Sequence, residues 1–128
     1  IETGASIESI NLNIQDSRHI YRAVQESIAY SFRYALGIME EMGLQANMIK
    51  AGQANMFLSP LFPGIVASVC GVPVHLYNTD GSLGAARAAA YGCGYYSSPE
   101  EAFESLKTVG VYEPGRDAGQ VYKELYQG

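Results

Sequence analysis

Two short loops carry the residue types that could do chemistry. Met48-Ile49-Lys50-Ala51 reads as a brief apolar strand that runs straight into Gly52-Gln53-Ala54-Asn55, and a helix opens a few residues later at Ser59-Pro60. Val74-His75-Leu76-Tyr77 reads as a second strand, and it leads through a turn into Asp80-Gly81-Ser82 at the head of another helix. A strand that ends in a glycine loop and feeds a helix leaves backbone N–H groups free, with no side chain to block approach. If the two strands are parallel, both loops fall on the same edge of the sheet and can wall one nucleotide-sized crevice. The same spacing is met by glycines that only make tight turns. Spacing alone leaves both explanations open.

Other chemistries lack their residues. The Gly52 loop is not followed by Gly-Lys-Ser, so there is no Walker A cradle. There is no G-x-S-x-G elbow and no Cys/His couple with a third orienting group. His19 in a first helical turn reads as solvated, and His75 reads as a structural residue on its strand. Asp16, Asp80 and Asp117 occupy cap or turn positions rather than a metal cluster. A formal net charge of −5 argues against bulk affinity for nucleic acid or an anionic membrane surface. No apolar run approaches the roughly 18 residues of a membrane span. Cys70 and Cys93 form no C-x-x-C pair and join no metal pattern with a histidine. With no secretory leader visible, both are expected as free, buried thiols in a reducing cytoplasm.

The elements that must position the loops follow from periodicity. At 128 residues, 48% of them apolar, the chain can bury the core of one globular domain. It opens at Ile1-Glu2-Thr3 without a methionine, which fits processing, an engineered boundary or the back half of something longer. Residues 1–15 alternate loosely and read as a strand or an extended arm. Asp16-Ser17 then caps one long helix that runs to Met42. Ile20, Val24, Ile28, Phe32, Ala35, Met39 and Met42 recur on one face of it, Arg22 and Glu26 can pair, and Gly43 ends it. Such a helix spans about 39 Å. A second helix is expected from Ser59-Pro60 to Cys70, ended by Gly71. A third, from Ser82 to Tyr91, is made of small residues, and Gly84 within it implies a close neighbour. A fourth starts at Ser98-Pro99, and a fifth, Asp117 to Tyr126, presents Val121, Tyr122, Leu125 and Tyr126 on one side. The order helix, strand, helix, strand, helix implies parallel strands. Two strands do not make a covered sheet, so further strands are expected from residues 1–15, from another chain or from sequence upstream.

Several ordered motifs resemble the C-terminal lobe of the FGGY carbohydrate kinases, and most closely the xylulose kinase-like members. Gly4-Ala5 and Ile10-Asn11-Leu12-Asn13 begin the likeness. It is strongest at His19-Ile20-Tyr21-Arg22-Ala23-Val24-Gln25-Glu26-Ser27-Ile28-Ala29-Tyr30, which resembles the family's H-L-x-R-A-x-x-E-G-I-A-F helix. Ala51-Gly52-Gln53-Ala54-Asn55 stands where the family has a G-G-G or G-G-N loop. Gly71-Val72-Pro73-Val74 looks like its G-x-P-V strand entry, and Gly81-Ser82-Leu83-Gly84-Ala85-Ala86 looks like its A-x-G-A-A helix start. Tyr112-Glu113-Pro114, followed by Tyr122 and Tyr126, looks like its tail. The likeness thus spans nearly the whole chain, residues 1–128.

The resemblance implies an α/β, ribonuclease H-like (actin-like ATPase) C-terminal lobe, incomplete, with a long N-terminal helix and extra C-terminal helices. It implies that Gly52, Gln53, Ala54 and Asn55 approach the adenine and ribose of ATP, that Asp80, Gly81 and Ser82 border the same pocket, and that Arg22 and Glu26 brace the helix beneath it. Gln53 and Ala54 replace glycines, which restricts backbone approach and sends a Gln side chain into the pocket. Ser27 replaces a usual glycine. In this family the sugar site, the general-base aspartate and the hairpins for the β- and γ-phosphates lie in sequence before this chain's start. The parent protein is therefore expected to move the ATP γ-phosphate to a pentulose such as xylulose, with Mg held mainly by other parts. This chain alone is expected to be inactive, pairing with an N-terminal kinase lobe and, through exposed apolar edges, with further copies of itself. The competing expectation is a stand-alone, non-catalytic nucleotide-binding or interaction module.

Overall fold

The computed structural model describes residues 4–127. Its first element, α1 (Ser17–Glu41), begins where Asp16 accepts the Arg18 amide and His19 reaches back to the Asp16 amide, a reciprocal capping pair. The Arg18 and His19 side chains hold the Asp16 carboxyl down to about 2. Gly43, at φ +82°, closes the helix, and the Leu44 amide turns back onto the Met39 carbonyl. The chain then forms β1 (Ile49–Gly52), a 3₁₀ turn (Asn55–Leu58), α2 (Phe62–Cys70) and β2 (Val74–Tyr77). It continues through α3 (Gly81–Gly92), α4 (Pro99–Phe103), β3 (Thr108–Tyr112) and α5 (Arg116–Gln127).

The strands form one mixed sheet in the order β1-β2-β3. β1 and β2 are parallel, as expected, with Ile49 opposite Val74 and Gly52 opposite Tyr77. The third strand comes from neither the N-terminal arm nor another chain: β3 runs antiparallel to β2. Its Thr-Val-Gly-Val-Tyr run, bounded by Glu113-Pro114, is a β-rich segment between turn signals. Residues 4–16 form no strand, and the part of the expected arm at 1–3 lies outside the described residues. Asn78 pins the end of β2: its side chain accepts the Lys107 amide at 2.6 Å and donates to the Ser105 carbonyl at 3.3 Å.

The core sits where α2 lies between the sheet and the middle of α1. Phe62, Val66 and Val74 are fully buried, with Ala29, Ile65, Leu76 and Tyr122 around them. Val74 and Leu76 point into this core, while His75 and Tyr77 alternate onto the other face. The long helix does not bury the single stripe expected of it. Only Ile28 and Phe32 of that set pack on the core, whereas Val24, Met39 and Met42 are exposed. The reason is length: α2 has nine residues against twenty-five in α1, so α1 overhangs its support at both ends. The buried surface is two stripes meeting at Ala29, with Ile28, Phe32 and Leu36 on one side and Tyr30 on the other.

Two further expectations change. α2 starts at Phe62 rather than at Ser59-Pro60, because the 3₁₀ turn takes up residues 55–58 and the Ser59 hydroxyl caps only a local turn at Leu61. Its end is as expected, with Gly71 left-handed at φ +72°. α3 has no buried residue, and a methyl at Gly84 would meet nothing within 4 Å, so its small residues do not mark close packing within the described residues. Cys93, at the end of α3, is exposed and not buried, while Cys70 is buried and its thiol is pushed up to about 11 by that burial. Among the described residues, no helix is long and apolar enough to cross a membrane, and no group of three His, Cys, Asp or Glu side chains is placed to hold a metal ion.

Candidate functional site

The parallel pairing of β1 and β2 puts their two following loops side by side, and the backbone there is tight. Tyr77 accepts both the Gln53 amide at 2.9 Å and the Thr79 amide at 2.8 Å. A Cβ on Gly52 would collide with the Thr79 carbonyl oxygen and sit 3.3 Å from the Asp80 Cα. Position 52 thus requires glycine because the second loop passes directly over it. The Ala54 amide then turns onto the Gly52 carbonyl at 2.9 Å, and Asn55 takes a left-handed conformation at φ +51° to enter the 3₁₀ turn.

These loops border a cleft of 430 Å³. Gly52, Ala54, Asn55, Asp80 and Gly81 line it together. Gln53 and Ser82 do not line it: Gln53 is exposed at the loop tip, and the Ser82 hydroxyl donates to the Asp80 carboxylate at 2.7 Å. The Asp80 carboxylate also accepts the Leu83 amide at 2.8 Å, which caps α3. That backbone bond and the Ser82 hydroxyl hold its carboxyl below the usual carboxylate range, so Asp80 is an anion at the cleft rim at neutral pH.

The rest of the cleft escaped a reading by loops. Its floor is a cluster of three phenylalanines: Phe57 and Phe62 meet edge to face at 5.1 Å, and Phe32 faces both at 6.2 and 6.4 Å. Ile28, Met56 and the β1 residues Ile49, Lys50 and Ala51 complete the walls. The signal for this floor was in the sequence as Phe57 and Phe62, which flank Pro60 just after the glycine loop, together with Phe32 on the buried stripe of α1. Apolar walls, two glycines without side chains, one carboxamide and one carboxylate suit a flat heteroaromatic ring with a polar edge.

Arg22 and Glu26 do pair, at 2.7 Å, but neither lines this cleft. They lie with Tyr30 on the second stripe of α1 and hold α5. The Tyr122 hydroxyl accepts from Arg22 at 2.6 Å and donates to Glu26 at 2.7 Å, and Tyr30 stacks on Tyr126 at 5.6 Å. Burial and then Glu26 push the Tyr122 hydroxyl up, which keeps it a donor.

Residues 3–93 match the FGGY family of carbohydrate kinases, C-terminal domain. Among curated proteins, the chain is 33% identical over 110 residues to a xylulose kinase of Staphylococcus epidermidis, covering 82% of this chain and 22% of that protein. It is 35% identical over 117 residues to a glycerol kinase of a Thermoanaerobacter species, covering 86% of this chain and 22% of that one. The chain therefore spans about a fifth of the length of these relatives. Among solved structures, a xylulose kinase from Rhodospirillum rubrum superposes with a TM-score of 0.79 at 24% identity, over 99% of this chain and 26% of that one. A gluconate kinase from Lactobacillus acidophilus does so at 0.72 and 21%, over 95% and 25%. At these identities the likeness is one of fold, the actin-like, ribonuclease H-like lobe expected from the sequence motifs.

Proposed function

We propose, for a chain that belongs to the FGGY family of carbohydrate kinases as its C-terminal domain, that it forms the adenine-side wall of the ATP site in a longer sugar kinase. One observation carries this reading: the glycine-enforced contact between the β1 and β2 loops, which opens an apolar cleft at the carboxyl ends of two parallel strands. The adenine would lie against Phe57 and Met56. Asn55 would offer its carboxamide to the ring edge, and Asp80 would accept from a ribose hydroxyl. Gly52 and Gly81 would admit the backbone close to the ligand. Gln53 and Ser82 act from outside the cleft, Gln53 at the loop tip and Ser82 by orienting Asp80.

ATP, when bound, supplies the phosphoryl group. Phosphoryl transfer also requires Mg²⁺, an in-line acceptor and a group to receive its proton. In this reading Mg, the base and the sugar site belong to an N-terminal lobe, and this chain by itself does not catalyse. The acceptor is a pentulose such as xylulose. Comparable identity to glycerol kinases favours a smaller polyol as the second reading. The kinase would work in the cytoplasm. The unit includes the whole chain, residues 1–128, since α5 supplies Tyr122 to the common core beyond the matched segment. Exposed Leu12, Ile14, Met42 and Leu58 favour self-association.

The test is titration of ADP into this chain and into the longer polypeptide that carries it, followed by phosphotransfer assays with xylulose and glycerol. Binding by both and turnover by the longer one alone is the expected pattern. No turnover on any ketose or polyol would overturn the kinase reading and leave the non-catalytic module. Light scattering that finds only monomer at high concentration would remove the self-association.

A further inference from the structure

A second cavity, of 650 Å³, lies at the opposite end of α2 from the nucleotide cleft. It is bounded by Cys70 and Gly71 at the end of that helix, by Arg33 and Glu40 of α1, and by one face of α5. Its volume falls within the range of about 300–1,000 Å³ usual for small-ligand sites. On α5, Arg116, Gln120 and Lys123 follow at four and three residues and so share one helical face.

The charge in this cavity is unbalanced. The chain is acidic overall and has eight Lys and Arg, yet three of them line this one space against a single carboxylate side chain among the described residues. Arg33 binds that carboxylate, Glu40, through two bonds of 2.8 Å. Arg33 also borders the carbonyl end of α2, where the helix dipole is negative. One guanidinium therefore answers both negative features. Arg116 and Lys123 form no ion pair with any described residue. The start of α5 borders the same space, and neither Pro114 nor Gly115 has a side chain to cap it, so its positive end adds to the field.

The remaining walls suit a carbon skeleton with hydroxyls. The Tyr126 ring is fixed by stacking on Tyr30 at 5.6 Å. The Gln120 amide donates to Glu124 at 2.7 Å, which leaves its carbonyl oxygen to accept from a hydroxyl. Gly115 and Gly119 form a wall without side chains. A guanidinium fork and an ammonium together match the three oxygens of a phosphate better than one carboxylate.

We propose that this cavity binds a small phosphate monoester of a polyol or sugar, with Arg116 and Lys123 as its anion contacts. This site is separate from the nucleotide cleft and does not rest on that cleft's assignment. The test uses the intact polypeptide that carries this chain, with glycerol 3-phosphate and ribose 5-phosphate as probes and sulfate at equal ionic strength as control. Amide shifts at Gly71, Gly115 and Gly119, with Gly52 and Gly81 unmoved, are the expected NMR signature. Calorimetry should show binding that weakens about tenfold or more in Arg116→Ala/Lys123→Ala and is retained in Lys123→Arg, with ADP affinity unchanged. Three results would overturn the proposal: no binding of either probe at about 10 mM, equal binding of sulfate, or shifts confined to the nucleotide cleft.

Discussion

The two ends of the nine-residue α2 are built on opposite physics. At its start, Phe62 is 1% exposed and packs against two other phenylalanines, under loops whose backbones touch at Gly52. At its end, Cys70 opens onto a space lined by Arg33, Arg116 and Lys123. One site is shaped by packing and the other by charge. The same helix can serve both because its middle, Val66 and Ala67, is sealed in the core. If this contrast is right, truncation should cost stability at the first end and little at the second. Phe62→Ala is the sharpest break: loss of a buried aromatic with limited room to collapse should cost about 3–5 kcal/mol, read from urea or thermal unfolding. A cost below about 1 kcal/mol would mean that the cleft floor is not close-packed.

A smaller effect separates the cleft's glycines from one another. Gly52→Ala forces its new methyl against the Thr79 carbonyl, a backbone atom that cannot swing aside. It should destabilise by about 1–3 kcal/mol and weaken ADP binding by spreading the loops. Gly81→Ala meets open space and should leave the melting temperature nearly unchanged. Equal behaviour of the two would show that the loops do not press on each other.

These particulars also show why the sequence was legible in places. The limits of α1 and β2 were visible because their signals are local: the Asp16 cap, Gly43, Gly71-Val72-Pro73 and the alternation of Val74 and Leu76. The members of the cleft that come from its two loops were visible for the same reason. Features that depend on what lies across the fold were not. The single apolar stripe on α1 failed because α2 is too short to cover it, and nothing in α1 encodes that length. Arg22 and Glu26 announced an i, i+4 pair but not Tyr122, ninety-six residues from Glu26. No residue of α3 that looked packed is buried, and Cys93 after it is exposed, because α3 packs mainly against the short α4. β3, like the phenylalanines after the glycine loop, is a miss that local reading should have caught.

At the charged end of α2, buried polar bonding replaces aromatic packing. The Ser68 hydroxyl donates to the Gly64 carbonyl at 2.8 Å and accepts the Gly115 amide at 3.0 Å, tying α2 to the entry of α5. Ser68→Ala should cost about 1 kcal/mol in unfolding, well below Phe62→Ala and at the low end of the range for Gly52→Ala. One residue pair extends the comparison to reactivity. Burial raises the Cys70 thiol from 9.0 to about 11. Its protonated form is therefore favoured by folding, and its contribution to stability is complete below pH 9 and lost as pH rises from 9 to about 11. At pH 8.5, a thiol reagent should label Cys93 promptly and Cys70 slowly. Mass spectrometry after partial labelling distinguishes them, and equal rates would place Cys70 in solvent.

The smallest expected effect bears most directly on what the charged end does. Arg116 and Lys123 are exposed and hold no ion pair with a described residue. Replacing either with alanine should change unfolding stability by no more than about 0.5 kcal/mol in either direction. Arg33→Ala should cost more than either, since it leaves Glu40 without its two bonds. Cations that the fold does not need, on a helix face turned toward a cavity, stand in mutual repulsion unless a counter-charge enters. Removing one should therefore be neutral or slightly stabilising in low salt, and that gain should shrink as salt screens the pair. If either substitution instead destabilises by about 1 kcal/mol or more, the residue is a strut of the fold, and the contrast between a packed end and a charged, ligand-ready end of α2 fails.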